Sequence, residues 1–135
     1  MIELHGWLTV RDTYKAEFEE GSRTEAAVLE IRSLIESLEW FKPDMRAMNG
    51  DVFTEFSLYC NRKNPEVEEV FQFFEAVGRI AEGSYGLIYL YDDEDRNGRE
   101  NRFQVFVLAR GVVKEGEDSF LSPVIPVIED ADEIG

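Results

Sequence analysis

The sequence predicts an α+β protein with a mainly antiparallel sheet of four or five strands and two helices packed on one face. Three observations lead to this prediction: period-two alternation at the start of the chain, two segments with helical periodicity, and short turns between later strands. Strands joined by short turns pair antiparallel, and two helices spaced in this way cover one face of the sheet. The predicted order is β-α-β-β-α-β-β, and its first six elements match a ferredoxin-like arrangement.

The first segment, residues 2–11, alternates between apolar and polar side chains, which is typical of a half-buried strand. Trp7 falls on the polar face, where it either covers a second apolar patch or is exposed for contact with a partner. Residues 12–21 are acidic and contain a glycine, so they are predicted to form a loop.

The first helix is predicted to begin near Ser22, which forms a capping box with Glu25, and to end at Pro43. Its apolar positions recur at steps of three and four, as in an amphipathic helix with one buried stripe. These positions are Ala27, Ile31, Leu34, Leu38 and Phe41.

The second helix is predicted to begin at Asn64-Pro65. Asparagine is a good N-cap, and proline at the first helical position sacrifices no intrahelical hydrogen bond. Gly83 is predicted to stop it. Asn49-Gly50 predicts a tight hairpin, since both turn residues adopt positive φ there. The strands predicted after the first one cover 45–48, 52–60, 85–91 and 103–110.

The length and net charge of the chain limit the classes of function that it can have. The chain has 135 residues, which fits one domain over 1–135 with an acidic C-terminal tail from about 119. It carries 14 lysine and arginine residues against 29 acidic ones, a formal net charge of −15. A field of this sign repels phosphate backbones and anionic lipid surfaces, so we expect no nucleic-acid partner and no membrane partner. A basic protein and a cation are the partners that such a negative field attracts.

The cellular compartment is predicted from what the sequence lacks. Cys60 is the only cysteine, so an intrachain disulfide is excluded and a reducing environment is expected. The first residues do not have the basic and apolar regions of a signal peptide. No apolar run approaches the roughly 18–20 residues that span a bilayer. We therefore expect a cytoplasmic protein.

The run Asp93–Gly98 matches the first half of an EF-hand loop. Position twelve of such a loop is a bidentate glutamate, but here it is Gln104 inside an apolar strand. We therefore expect no tight calcium site, no other metal site and no cofactor. A solvated hairpin turn explains Asn97-Gly98. The hairpin turn does not explain the four adjacent acids Asp92–Asp95. Like charges this close repel one another, which suggests a partner that relieves the repulsion.

Residues able to support catalysis are few. His5 is the sole histidine and has no identifiable orienting group, so a structural role is expected, and Cys60 is predicted to be a small core residue. Glycine-rich phosphate loops and nucleophile-elbow motifs are absent from the sequence. The many carboxylates leave open a small acidic enzyme that uses paired carboxylates. An adaptor module that binds a basic peptide is a further alternative.

Three tyrosines, Tyr85, Tyr89 and Tyr91, recur at period two, which places their side chains on one face of a strand. Exposed tyrosines are favoured at protein interfaces, whereas buried ones need hydrogen-bond partners. An open tyrosine-bearing face beside an acidic turn would be a binding surface. A face covered by helices is the alternative.

Four segments carry a resemblance to a known family: HGWLTVRD at 5–12, GSYGLIYLYDDED at 83–95, FQVFVLARG at 103–111 and DSFLSPVIPVIED at 118–130. Together and in this order they resemble the seventh immunity protein family, Imm7, of bacterial polymorphic toxin and contact-dependent inhibition systems. The resemblance implies a small α+β protein, not an enzyme, that binds the toxin encoded beside it and blocks it. It leaves the identity of the toxin open.

The resemblance and the charge together predict the partner. It is the C-terminal domain of a cognate toxin, expected to be a nuclease with a basic active site that the acidic protein occludes. Electrostatic steering would speed this association. The residues expected to contact the toxin follow from charge and exposure rather than from the resemblance. They are Trp7, Tyr89, Tyr91, Asp92, Asp93, Glu94, Asp95, Glu129 and Asp130.

Overall fold

A computed structural model describes residues 1–15 and 21–132. Within that part the chain forms six strands, two long helices and one short helical turn. The predicted loop over 12–21 lies partly outside the described residues. In chain order the elements are β1 (Ile2–Val10), α1 (Gly21–Ser37), β2 (Arg46–Met48), β3 (Asp51–Cys60), α2 (Pro65–Ile80), β4 (Tyr85–Asp92), β5 (Gln104–Ala109), β6 (Val112–Glu117) and α3 (Val124–Val127).

The strands form one antiparallel sheet in the order β2-β3-β1-β4-β5-β6. β1 lies inside the sheet and pairs along its whole length with β3, and over most of it with β4. β3 lies between β1 and β2, so the first six elements have the split β-α-β arrangement of ferredoxin-like folds. The predicted α+β class with antiparallel pairing is confirmed.

The two faces of the sheet differ. Side chains of β1 alternate between buried and more exposed positions, as the period-two pattern predicts. The buried face packs against the apolar stripes of α1 and α2 and forms the core. The opposite face is not covered by these helices, and we call it the open face. Core side chains include Ile2, Leu4 and Leu8 of β1, Ile31 of α1, and Val70, Phe73, Phe74 and Val77 of α2.

Two elements lie beyond the predicted set. β6 is a sixth strand, whereas four or five were predicted, and α3 is a short third helix. β6 has the sequence VVKEGE and most of its side chains are exposed. Because an exposed edge strand needs no apolar alternation, its sequence carries little strand signal, and pairing with β5 determines its conformation.

The first helix ends earlier than predicted, at Ser37 instead of Pro43. Beyond it, the Glu69 carboxylate of α2 accepts hydrogen bonds from the backbone N–H groups of Glu39, Trp40 and Phe41 at 3.0, 2.7 and 2.8 Å. These bonds hold the chain in a non-helical path, although Phe41 is still buried in the core. α1 begins at Gly21, one residue before the predicted start, and the Ser22 side chain of the predicted capping box lies outside the described residues.

Local turn chemistry is confirmed at the Asn49-Gly50 hairpin, where φ is 53° and 84°. It is also confirmed at the start of α2, where Asn64 Oδ1 accepts a hydrogen bond from the backbone N–H of Val67. Gly83 does not stop α2 as predicted. α2 ends at Ile80, and Gly83 is needed because a Cβ there would collide with the backbone of Thr13. No helix among the described residues is long and apolar enough to cross a membrane.

Candidate functional site

The open face presents aromatic and polar side chains from three neighbouring strands. The register places His5 between Ser57 and Tyr89, and Trp7 between Glu55 and Leu87. The predicted alternation of Tyr85, Tyr89 and Tyr91 is confirmed, and it puts all three on this open face rather than under a helix. Exposed fractions of 38% for Trp7, 44% for Tyr85 and 67% for Tyr59 show that solvent reaches the face.

The sole histidine is the centre of a hydrogen-bonded group on the open face. His5 Nε2 lies 2.6 Å from a Glu3 carboxylate oxygen, and Nδ1 lies 3.2 Å from Ser57 Oγ. Because a carboxylate only accepts, Nε2–H is the donor to Glu3, which leaves Nδ1 facing the serine hydroxyl. The Tyr59 ring packs edge-on against the imidazole. No orienting group for His5 was expected from the sequence, and the structure supplies Glu3, two residues away on the same strand face.

The charges of three acidic side chains act on Tyr91 at one end of the open face. Burial, followed by the charges of Asp93, Glu129 and Glu3, raises the pKa of Tyr91 above its ordinary value. These carboxylates come from the β4–β5 turn, the C-terminal tail and β1, so the fold gathers them from three separate segments. Of the predicted contact residues, Asp93 and Glu129 therefore lie close enough to Tyr91 for their charges to raise its pKa. Asp130 is exposed in the same tail.

The C-terminal tail is attached beside this acidic end. Tyr89 Oη donates to Asp118 Oδ1 at 3.3 Å, and burial with the nearby Asp118 charge raises the pKa of Tyr89. The Phe103 ring packs against Tyr89 and Tyr91, and its backbone N–H donates to Ser122 Oγ at 2.9 Å. Phe103 and Asp118 thus contact the tyrosine row, and the tail that follows carries Glu129 close enough for its charge to act on Tyr91.

The acidic turn has internal partners. Asp93 forms an ion pair of 2.6 Å with the amino group of Met1, and Asp95 lies 3.9 Å from the Arg99 guanidinium. Asp92 and Asp95 also accept hydrogen bonds from backbone N–H groups two residues further on, as in Asx turns. Local structure therefore accounts for part of the acidic run. Glu94 Oε1 lies 3.9 Å from the same Met1 amino group. With 68% of its side chain accessible, Glu94 is more exposed than Asp93 or Asp95.

Trp7 lies apart from the acidic end. It is four residues from Glu3 along β1, which corresponds to roughly 14 Å at about 3.4 Å per residue. Its indole packs edge-on against Tyr85, with ring centroids 6.0 Å apart. It also lines a concavity of about 520 Å³ on the open face. The predicted contact residues therefore form two groups on one face.

Several side chains of this face were not predicted as site residues. Phe53, Glu55 and Ser57 of β3 line the concavity together with Trp7. Their period-two spacing in the sequence shows that they share a face, but only the register Trp7↔Glu55 shows that it is the face of Trp7. Cys60 is partly buried against the core, as predicted, and burial raises the pKa of its thiol.

Over residues 1–15 and 21–132, no group of three or more histidine, cysteine, aspartate or glutamate side chains is arranged to hold a metal ion. The acidic turn, which resembles half of an EF-hand, is occupied by the internal contacts of Met1 and Arg99 described above.

Comparisons with known proteins give one informative match. No curated protein and no solved structure matches the chain. The sequence model of the family described as immunity protein 7, Imm7, matches residues 1–130. This span includes every strand, both long helices, the open face and the tail acids. The chain therefore belongs to the Imm7 family of immunity proteins.

Proposed function

We propose that this protein binds the C-terminal domain of a cognate bacterial toxin in the cytoplasm and neutralises it by covering its active site. The observation that carries the proposal is the family match over residues 1–130, because immunity proteins act by binding a cognate toxin. The net charge of −15 supports a basic partner. We further propose that this partner is a nuclease, since an enzyme that holds phosphates has a basic active site.

The proposed contact surface is the open face with its acidic rim. Trp7, Tyr89 and Tyr91 supply aromatic contacts of the kind enriched at interface hot spots. The acidic turn Asp92–Asp95, together with Glu129 and Asp130 of the tail, supplies charge. The convergence of Asp93, Glu129 and Glu3 around Tyr91 supports this assignment, because three chain segments bring negative charge to one place.

Two effects of the charge contribute to neutralisation. The long-range field raises the association rate with a basic partner, up to about 10⁸–10⁹ M⁻¹s⁻¹ at low salt. Close charge pairs that are desolvated in the complex slow dissociation, with coupling energies of roughly 1.5–7 kcal/mol in one measured interface. An acidic surface placed over a basic active site would also exclude the phosphate groups of the substrate.

A hydrolase is the second candidate, and the group Glu3–His5–Ser57 is the observation that favours it. Its carboxylate, imidazole and hydroxyl are connected like those of a catalytic triad. A hydrolase also needs donors for the oxyanion, and backbone N–H groups usually supply them. β1 supplies none, because it is paired on both sides, with β3 and with β4, and the family match over residues 1–130 favours an inhibitor. We therefore propose an inhibitor without turnover of its own.

Coexpression tests the proposal directly. The protein is coexpressed with a tagged, catalytically inactive C-terminal domain of the protein encoded immediately upstream, and the complex is purified through the tag. We expect a stoichiometric complex and survival of cells that carry the active toxin only when this protein is present. Survival without the protein, or purification of the toxin domain alone, would contradict the proposal.

A further inference from the structure

The concavity on the open face has an apolar, aromatic floor and an acidic side. Trp7 of β1, Phe53 of β3 and both Leu87 and Tyr89 of β4 supply the apolar surface, and Glu55 supplies a carboxylate. Its volume of about 520 Å³ is sufficient for one or two large side chains. A site of this composition favours a group that is both flat and positively charged.

The rim of the concavity already holds one such group from the chain itself. The guanidinium carbon of Arg46 lies 5.4 Å from the centroid of the Phe53 ring, and Arg46 Nη2 lies 3.5 Å from Glu55 Oε1. Both side chains of this ion pair are more than half exposed. The arrangement shows that an aromatic face and the Glu55 carboxylate together accept a guanidinium at this place. A carboxylate has acceptor sites for a second donor beside Arg46.

We infer that the concavity seats an arginine side chain of the toxin, with its guanidinium against the aromatic floor and its N–H groups on Glu55. This inference rests on the proposed function and names the chemistry that the site recognises. Arginine fits better than lysine because its planar guanidinium is weakly hydrated and stacks on aromatic rings, whereas an ammonium keeps its water. The charge of the whole chain favours a cationic partner in the same way.

The experiment uses the full-length protein and the inactive upstream-encoded toxin domain, with dissociation constants measured by isothermal titration. Glu55→Gln removes the charge and keeps the shape, and Trp7→Leu removes the indole ring from the aromatic floor. The matched controls are Glu75→Gln, an exposed carboxylate on α2, and Trp40→Leu, an exposed tryptophan after α1. We expect each concavity variant to raise the dissociation constant about 30- to 100-fold, the lower range of interface hot spots, and each control to change it less than about 3-fold.

Arginine is identified from the toxin side. Each arginine of the toxin domain is changed to lysine, and binding to wild type and to Glu55→Gln is compared. We expect one Arg→Lys change that weakens binding to wild type at least about 10-fold but hardly weakens binding to Glu55→Gln further, because the two groups act as a pair. Melting temperatures and circular dichroism establish that the variants are folded. Glu55 is exposed, so its variant reports on binding even where Trp7→Leu is destabilised.

The outcomes separate the inference from the proposed function. If wild type binds the toxin domain and the concavity variants bind equally well, the inference is wrong and the proposed function stands. If no toxin arginine couples to Glu55, the guanidinium assignment is wrong. If wild type does not bind the toxin domain, the proposed function fails and the inference fails with it.

Discussion

At the scale of single residues, two glycines are required by close packing within the sheet. Gly6 faces the core of the sheet, and a Cβ at this position would fall on the Phe56 ring. Gly86 lies opposite Leu8 on the neighbouring strand, and a Cβ there would collide with the backbone of β1. The structure thus supports an architectural role for both glycines. Trp7, which follows Gly6 directly, is exposed and is available for a partner.

We expect Gly86→Ala to lower the free energy of unfolding by about 1–3 kcal/mol or more, because the added methyl meets backbone atoms that cannot rotate away. The control is Gly116→Ala in β6, where a Cβ meets nothing within 4 Å. That change should stay within about 0.5 kcal/mol, as for most surface substitutions. Urea denaturation followed by circular dichroism measures both. Equal stability of the two variants would show that the sheet adjusts at Gly86.

At the scale of elements, the end of α1 is set by α2 rather than by its own sequence. The apolar periodicity continues through Leu38 to Phe41, and Pro43 is the first residue that cannot continue a helix. Glu69 changes this outcome because its carboxylate accepts three backbone donors beyond Ser37. Desolvation on its own would raise the pKa of Glu69, but these hydrogen bonds outweigh it and hold the pKa below its ordinary value.

A carboxylate with a lowered folded-state pKa stabilises the fold above its unfolded pKa, and this stabilisation is lost as the pH falls through the folded pKa. We therefore expect Glu69→Gln to unfold at a lower urea concentration than wild type at pH 7. The difference should shrink as the pH falls below about 4.3, the ordinary pKa of glutamate. Urea midpoints at pH 7, 5, 4 and 3 measure it, with Glu75→Gln on the same helix as control. A difference that is independent of pH would contradict the role of the charge.

At the scale of the whole molecule, the excess of acidic residues is the dominant property. Twenty-nine acids against 14 basic residues repel one another and extend a negative field well beyond the surface. The fold places acids of the acidic turn, the tail and β1 near enough to Tyr91 for their charges to act on it together. Isolated surface acids contribute only about 0–1 kcal/mol to stability, so their collective effect on association matters more.

We expect a variant with Asn at Asp92, Asp93 and Asp95 and Gln at Glu94 to fold normally and to bind the toxin domain more slowly and more weakly. Its control carries Gln at Glu30, Glu36, Glu75 and Glu82, which are exposed on or beside the helices. These four substitutions remove the same amount of negative charge. Stopped-flow association at several salt concentrations measures the rates. The difference between the two variants should vanish towards 1 M salt, where the Debye length is about 3 Å instead of about 10 Å at 0.1 M. Equal rates at low salt would mean that the turn is only a solvated hairpin.

Much of the fold follows from the sequence because its signals are local. The alternation of β1, the cap and proline of α2, and the positive φ of Asn49-Gly50 depend on neighbouring residues, and each is confirmed. β6 lacked such a signal because an exposed edge strand is stabilised by pairing with β5. For the site, the sequence identified the tyrosine row and the unusual position of Trp7. It did not identify Glu55 or Phe53, since strand register is a long-range property.

The sequence by itself determined the class of this protein: its α+β architecture, its strong negative charge and its membership of the Imm7 family. The tertiary structure alone decided which side chains share a surface. Pairing of β1 with β3 and β4 set Glu55 and Leu87 beside Trp7, and the path of the tail placed Glu129 close enough to raise the pKa of Tyr91. The physical reason is that periodicity fixes the face of each strand, whereas the pairing between distant segments fixes the neighbours on that face.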